Sequence, residues 1–154
     1  MKWAQGRERI DELLSQHDLQ KVNPSREHAD RLIKQARQHL ISALSLKEGD
    51  PEGAYALVYD AARKALAAEL VNQGLRATSK GGNIATYQAV RAQLDPPMGE
   101  KILPFDRMRR MRRDAEYPPV DAPSLTPEDV AEDLVKARAI VDLVERILDE
   151  MNPY

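Results

Sequence analysis

A chain of 154 residues with a formal net charge of −2 has the length of one domain and can bury a core without disulfides or metals. It has no cysteine, which removes disulfide frameworks, thiol nucleophiles and cysteine zinc sites. No apolar run approaches the roughly 20 residues of a membrane span, and the opening Met1-Lys2-Trp3-Ala4-Gln5-Gly6-Arg7-Glu8 lacks a signal-peptide core, so a soluble, cytoplasmic protein is expected.

Helical periodicity dominates and strand alternation is nearly absent. Arg7 to His17 places Ile10, Leu13 and Leu14 on one side, which predicts a short helix packed loosely on the rest. Asn23-Pro24 predicts the next start, asparagine capping and proline at the first helical position. Ala29, Leu32, Ile33, Ala36, Leu40, Ala43 and Leu44 form its core stripe, and Gly49 closes it. Asp50-Pro51-Glu52 repeats the signal and opens the most apolar helix, which ends where Gly74 suits the left-handed position. Tyr55, Tyr59, Ala62, Leu66 and Leu70 form one apolar face of it and Leu57, Ala61, Ala65, Ala68 and Val71 another, as expected of a central helix.

Arg76 to Asn83 reads as a loop. Its glycines, lysine and hydroxyls before a helix start could cradle phosphate, but serine rather than glycine precedes Lys80 and a helix rather than a strand precedes the loop, which favours a plain connection. A short helix follows through Ile84, Tyr87, Val90 and Leu94, then a loop at Pro96-Pro97-Met98-Gly99. From Arg107 to Arg113 five of seven residues are arginine. A helix over Phe105 to Glu116 aligns Met108, Met111 and Ala115 as a narrow apolar stripe, with Arg107, Arg110 and Asp114 on one flank and Arg109, Arg112, Arg113 and Glu116 on the other. Pro118-Pro119 ends it. The link from Pro118 to Pro123 and the chain ends are the candidates for disorder. Thr126-Pro127 caps a last helix whose Val130, Leu134, Ala137, Val141, Val144, Leu148 and Met151 form an unbroken heptad seam. Long helices are thus predicted near 24–47, 51–73 and 127–150. Two apolar faces on the central helix and the seam on the last exceed what one small bundle readily buries, which predicts a homodimer.

Charge is uneven along the chain. Asp121 to Glu150 carries nine acids against Lys136, Arg138 and Arg146, a net of −6, so a total of −2 leaves the remainder at +4. The arginine run has only Asp114 and Glu116 as local acids. Mutual repulsion among five guanidiniums is better relieved by a facing phosphate, carboxylate or acidic subunit surface than by water. The competing reading is a salt-bridged, solvated helix face. His17, His28 and His39 lack metal spacing, and Glu128-Asp129 and Glu132-Asp133 read as ordinary helix-start charge. Neither a metal nor a cofactor is expected.

Tyr55-Ala56-Leu57-Val58-Tyr59-Asp60-Ala61-Ala62-Arg63-Lys64-Ala65-Leu66, then Gly74-Leu75-Arg76, then Arg112-Arg113-Asp114-Ala115-Glu116-Tyr117-Pro118, then a helix entered at Thr126, together resemble a HEPN domain over about residues 26–148. The resemblance implies an all-α, up-and-down bundle of four to five main helices, often homodimeric. Residues 23–151 would form that single domain, after a short helical extension over 1–22. Members of the family act as ribonucleases, as partners of nucleotidyltransferases or as RNA-associated modules. Catalytic members carry arginine followed about four to six residues later by a histidine that assists attack of the ribose hydroxyl. Here no histidine follows Arg107, and counting on from Arg112 reaches Tyr117, a poor general base with an ordinary pKa of about 10. The resemblance therefore leaves Arg109, Arg110, Arg112, Arg113 and Tyr117 as an RNA- or phosphate-binding set. Arg112, Arg113 and Tyr117 are the weak candidates for any remaining catalysis. Three readings follow: a binding module without efficient cleavage, a ribonuclease with a degenerate site, or an antitoxin-like structural partner of a nucleotidyltransferase.

Overall fold

The computed structural model describes residues 3–121, 123–151 and 153–154. Its helices are α1 (Arg7–Ser15), α2 (Arg26–Leu46), α3 (Pro51–Gln73), α4 (Gly82–Leu94), the single turn α5 (Gly99–Ile102), α6 (Pro104–Glu116) and α7 (Pro127–Ile147). The protein is an all-α bundle. Helix α3 is its axis and packs against α2, α4, α6 and α7. Ala54, Ala61, Ala62, Ala65 and Ala68 on α3 are fully buried, and the absence of longer side chains there lets neighbouring backbones come close.

Capping chemistry explains the starts. Asp50 accepts from the Gly53 amide, and Thr126 with Asp129 forms a reciprocal capping box. The start of α2 differs from the expected one. Ser25, not Asn23, accepts from the His28 amide, and the helix begins after Pro24 rather than at it. Gly74 ends α3 at φ 87, and a Cβ there would lie 2.8 Å from the Val22 carbonyl oxygen, so both conformation and space require glycine.

The N-terminal segment is not loosely packed. Ile10 and Leu13 are fully buried, the Trp3 indole donates to the Gln93 carbonyl at 2.9 Å, and Arg7 lies 4.6 Å over the Tyr154 ring. Beyond α1, β1 (Leu19–Lys21) pairs antiparallel with β2 (Leu75–Ala77), with Leu19 opposite Ala77. Three residues per strand are too few for alternation to show in a sequence. The ribbon takes Arg76 and Ala77 out of the expected loop and ties the start of the chain to the exit of α3.

Most of the surface expected to be in excess is buried within one chain, with Leu57 and Val71 of the second α3 face half-buried. Leu134, Ala137, Val141, Val144 and Leu148 of the seam are buried, as are Tyr55, Tyr59, Leu66 and Leu70 of α3. Leu44, expected in the core stripe of α2, is instead 53% exposed. Of the segments expected to be disordered, Pro118 to Asp121 and Pro123 are exposed, while Met1, Lys2, Ala122 and Asn152 lie outside the described residues. No helix among the described residues is long and apolar enough to cross a membrane.

Candidate functional site: an arginine groove

The arginine helix is held by its apolar edge. Phe105 and Met108 are fully buried, and the Phe105 ring stacks on Tyr59 at 5.5 Å with Tyr87 at 5.8 Å on another side. Met111 packs against the core without being fully buried. These anchors set the rotation of α6 and therefore which arginines face which neighbour.

Arg107 faces inward, to a strut. Asp133 of α7 is 1% exposed; its carboxylate accepts from the Arg107 guanidinium and, at 2.6 Å, from the Tyr55 hydroxyl, with Lys136 at 3.8 Å. Burial, then the bond to Asp133, pushes the Tyr55 hydroxyl pKa well above its ordinary range. The reading of Glu132-Asp133 as plain helix-start charge is thus corrected for Asp133, whose position on the inner face of α7 makes it the internal counter-ion of the arginine helix.

On the opposite flank Arg109, Arg112 and Arg113 line a groove of about 410 Å³ whose other wall is Lys80, Gly81, Gly82 and Asn83, with Tyr59 also lining it. The loop weighed as a phosphate cradle and the arginine run are therefore two sides of one space. Nor is that loop a slack connection. Lys80 Nζ donates to the Gln16 carbonyl at 2.7 Å, the Gly81 amide donates to Thr78 Oγ1 at 3.1 Å, and Thr78 Oγ1 donates to the His17 carbonyl at 2.7 Å. A Cβ on Gly81 would collide with the Asp18 carbonyl, so the loop sits hard against the entry to β1. Asn83 Nδ2 donates to the Tyr59 hydroxyl at 2.7 Å, joining the start of α4 to the floor of the groove. Burial raises the Tyr59 hydroxyl pKa above its ordinary value.

The pairing of the arginines differs from the sequence expectation. Asp106, not Asp114 or Glu116, is the nearest acid to Arg109, whose Nε and Nη2 lie 3.2 and 3.1 Å from its Oδ1, and it stands 3.6 Å from Arg110. Arg112 reaches Glu116 at 3.6 Å and Arg113 reaches Asp114 at 3.7 Å. The Arg112 and Arg113 pairs, long and reached by solvent, contribute about 0–1 kcal/mol each. They leave the guanidinium edges free to re-pair with a stronger acceptor. Four cations and a single carboxylate, Glu116, line the groove.

Two of the expected site residues stand outside it. Arg110, with its side chain 57% exposed, and Tyr117, 74% exposed at the end of α6, are not among the lining residues. Lys80, Asn83 and Tyr59 are the members that the sequence reading had not joined to the arginines. The signal that could have joined them is the Lys-Gly-Gly-Asn run before a helix, which sequence alone cannot place against α6.

A helical bundle with an arginine-bearing helix laid beside its central helix defines the class to which this chain conforms. The HEPN domain family matches residues 29–147, and the chain belongs to that family. No curated protein and no solved structure matches the chain significantly.

Proposed function

We propose that this HEPN domain is a binding module that holds RNA or a nucleotide by its phosphate in the groove between α6 and the Lys80–Asn83 loop, without efficient cleavage. The observation that carries the reading is the convergence of Arg109, Arg112, Arg113 and Lys80 on one groove with one facing acid. Guanidinium and ammonium groups at that density suit a polyanion, since phosphate oxygens accept from several donors at once. Cleavage would need a general base among them, and the three histidines of the chain all precede Lys47. A degenerate ribonuclease would have to recruit Tyr117, whose exposed ring lies outside the groove lining.

The test is the triple variant Arg109→Ala/Arg112→Ala/Arg113→Ala, assayed against a short RNA by fluorescence anisotropy across a salt series. Each charge-assisted hydrogen bond contributes about 1.5–3 kcal/mol, so the expected loss is at least about 100-fold, with a shallower salt slope. Arg110→Ala, outside the groove, should change affinity less than about threefold by the same accounting. A wild-type chain that binds neither RNA nor nucleotide at low salt would sink the proposal and leave the antitoxin-like partner of a nucleotidyltransferase as the reading to pursue.

The module is proposed to work as a homodimer through the outer faces of α2 and α7. Ile41, Leu44 and Val135 are 63%, 53% and 63% exposed there, and Arg138 with Ile41 lines a shallow depression between the two helices. Light scattering should give about twice the 17.4 kDa chain mass. Ile41→Glu/Leu44→Glu should return it to the monomer value, because two carboxylates would be desolvated against a second apolar face. A wild-type mass of one chain at micromolar concentration would remove this part of the proposal.

A further inference from the structure

The second strand of the ribbon has an edge that the fold does not use. The Val22 amide donates to the Gly74 carbonyl at 2.9 Å and the Thr78 amide to the Asp18 carbonyl at 3.0 Å. With Leu19 opposite Ala77 and Gln20 opposite Arg76, antiparallel alternation makes Gln20 and Arg76 the hydrogen-bonded pair between those two links. Leu75 and Ala77 therefore turn their amides and carbonyls away from β1. No helix or loop backbone group bonds to either of them among the described residues. Leu75 is fully buried, so the reachable edge begins at the half-buried Ala77 and runs on to the exposed Ser79.

That edge is one wall of a groove of about 390 Å³. Leu32 of α2 with Ala67 and Val71 of α3 give it half-buried aliphatic surface, Arg63 and Arg76 give it positive charge, and no carboxylate lines it among the described residues. We infer that this groove is the docking site for an extended acidic peptide of another protein, which adds to β2 as a third strand. Each property of the occupant answers a feature of the site. An extended backbone is required by the edge, because a residue opposite Ala77 exchanges both hydrogen bonds with it, whereas a helix has already committed its amides and carbonyls. Alternation follows from the walls: side chains on one face of the added strand meet Leu32, Ala67 and Val71, and those on the other reach the guanidiniums. Acidity follows from the charge. Arg63 is partly exposed and is held by Asp60 at 3.0 Å, a pairing that solvent weakens and that leaves guanidinium donors for a second carboxylate. The inference stands apart from the phosphate reading, since neither β2 nor Arg63 lines the arginine groove.

The test is an NMR titration of the isotope-labelled full chain with the blocked peptide Ac-Asp-Val-Glu-Val-Asp-amide up to millimolar concentration. The Ala77 amide proton should move downfield as it gains a bond, while the Arg76 amide, already bonded to Gln20, should move little. The same peptide with alternate amides N-methylated should bind at least about tenfold more weakly, and so should Ac-Lys-Val-Lys-Val-Lys-amide. On the protein side, Ala77→Pro removes the groove-facing donor and leaves the bonds to β1 in place. Ala67→Glu sets a carboxylate in the groove on a half-buried helix position that glutamate suits. Each variant, with melting temperature as the check on folding, should weaken the peptide at least about tenfold. If Ala77→Pro fails to fold, Ala67→Glu and the N-methylated peptide still decide. No shift at Ala77 and Ser79 at millimolar peptide overturns the inference. Binding that N-methylation leaves unchanged overturns strand addition, and equal binding of the lysine peptide overturns the acidic occupant. Shifts of these amides that grow with protein concentration alone give the edge to a second copy, and shifts produced by a short oligoadenylate and not by the peptide give the groove to nucleic acid; either result overturns the inference.

Discussion

Arg107→Ala is expected to be the costly substitution in the arginine run, lowering stability by about 3 kcal/mol while leaving ligand affinity within about twofold. The reason is its partner. Arg107 itself is 42% exposed and could find water, but Asp133 is 1% exposed, and without the guanidinium its carboxylate keeps only the Tyr55 hydroxyl and Lys136 at 3.8 Å. A stranded buried carboxylate usually costs about 3–5 kcal/mol, and the two remaining partners place this one at the lower end. Two readouts separate this from generic surface damage. Arg110→Ala, on the same helix, should cost less than about 0.5 kcal/mol. Pairing Arg107→Ala with Asp133→Asn should recover part of the loss, since the buried negative charge is removed together with its partner. A urea midpoint for Arg107→Ala equal to that of Arg110→Ala would show that the strut contributes nothing.

Asp50-Pro51, Thr126-Pro127 and Gly74 announce their helix ends because a cap acts within four residues of itself, and the α3 and α7 stripes announce burial because helical period is local. The match of residues 29–147 to the HEPN family spans the chain from α2 to the end of α7. The site was legible only by halves. The arginine run and the Lys80–Asn83 loop are each visible, but they are brought together by Phe105 stacking on Tyr59 and by the β1–β2 ribbon, and both are contacts between distant segments. Five arginines also looked alike. What separates Arg107, a strut, from Arg112, a groove residue, is rotation about the α6 axis, set by Phe105 and Met108 and not by composition. The cap of α2 was misplaced for a smaller reason. Asn23 and Ser25 are both good caps two residues apart, and the chain uses Ser25, whose hydroxyl accepts from the His28 amide.

Glu69→Gln is expected to stabilise the protein at neutral pH and to remove most of a pH dependence that the wild-type chain should show. Glu69 lies on α3 among Ala65, Leu66 and Gln73, all buried, and is itself fully buried. Neither carboxyl oxygen has a hydrogen-bond partner among the described residues. Burial alone pushes its pKa from the ordinary 4.5 up to about 8. Between those values the folded chain keeps a proton that the unfolded chain has released, so folding takes up a proton and stability falls as pH rises. The stability is whole below the unfolded value, declines by up to about 1.4 kcal/mol per pH unit, and the loss is complete once pH passes the folded value. Melting temperature should therefore drop between about pH 5 and about pH 8 in wild type and stay nearly level in Glu69→Gln. At neutral pH the variant should gain on the order of 2–3 kcal/mol, because glutamine keeps the volume and has no charge to neutralise. Glu69→Met should gain at least as much, since it also removes two buried oxygens that lack donors. A wild-type melting temperature that rises from about pH 5 to about pH 8, with Glu69→Gln following it in parallel, would mean that the carboxyl is ionised and partnered inside the fold.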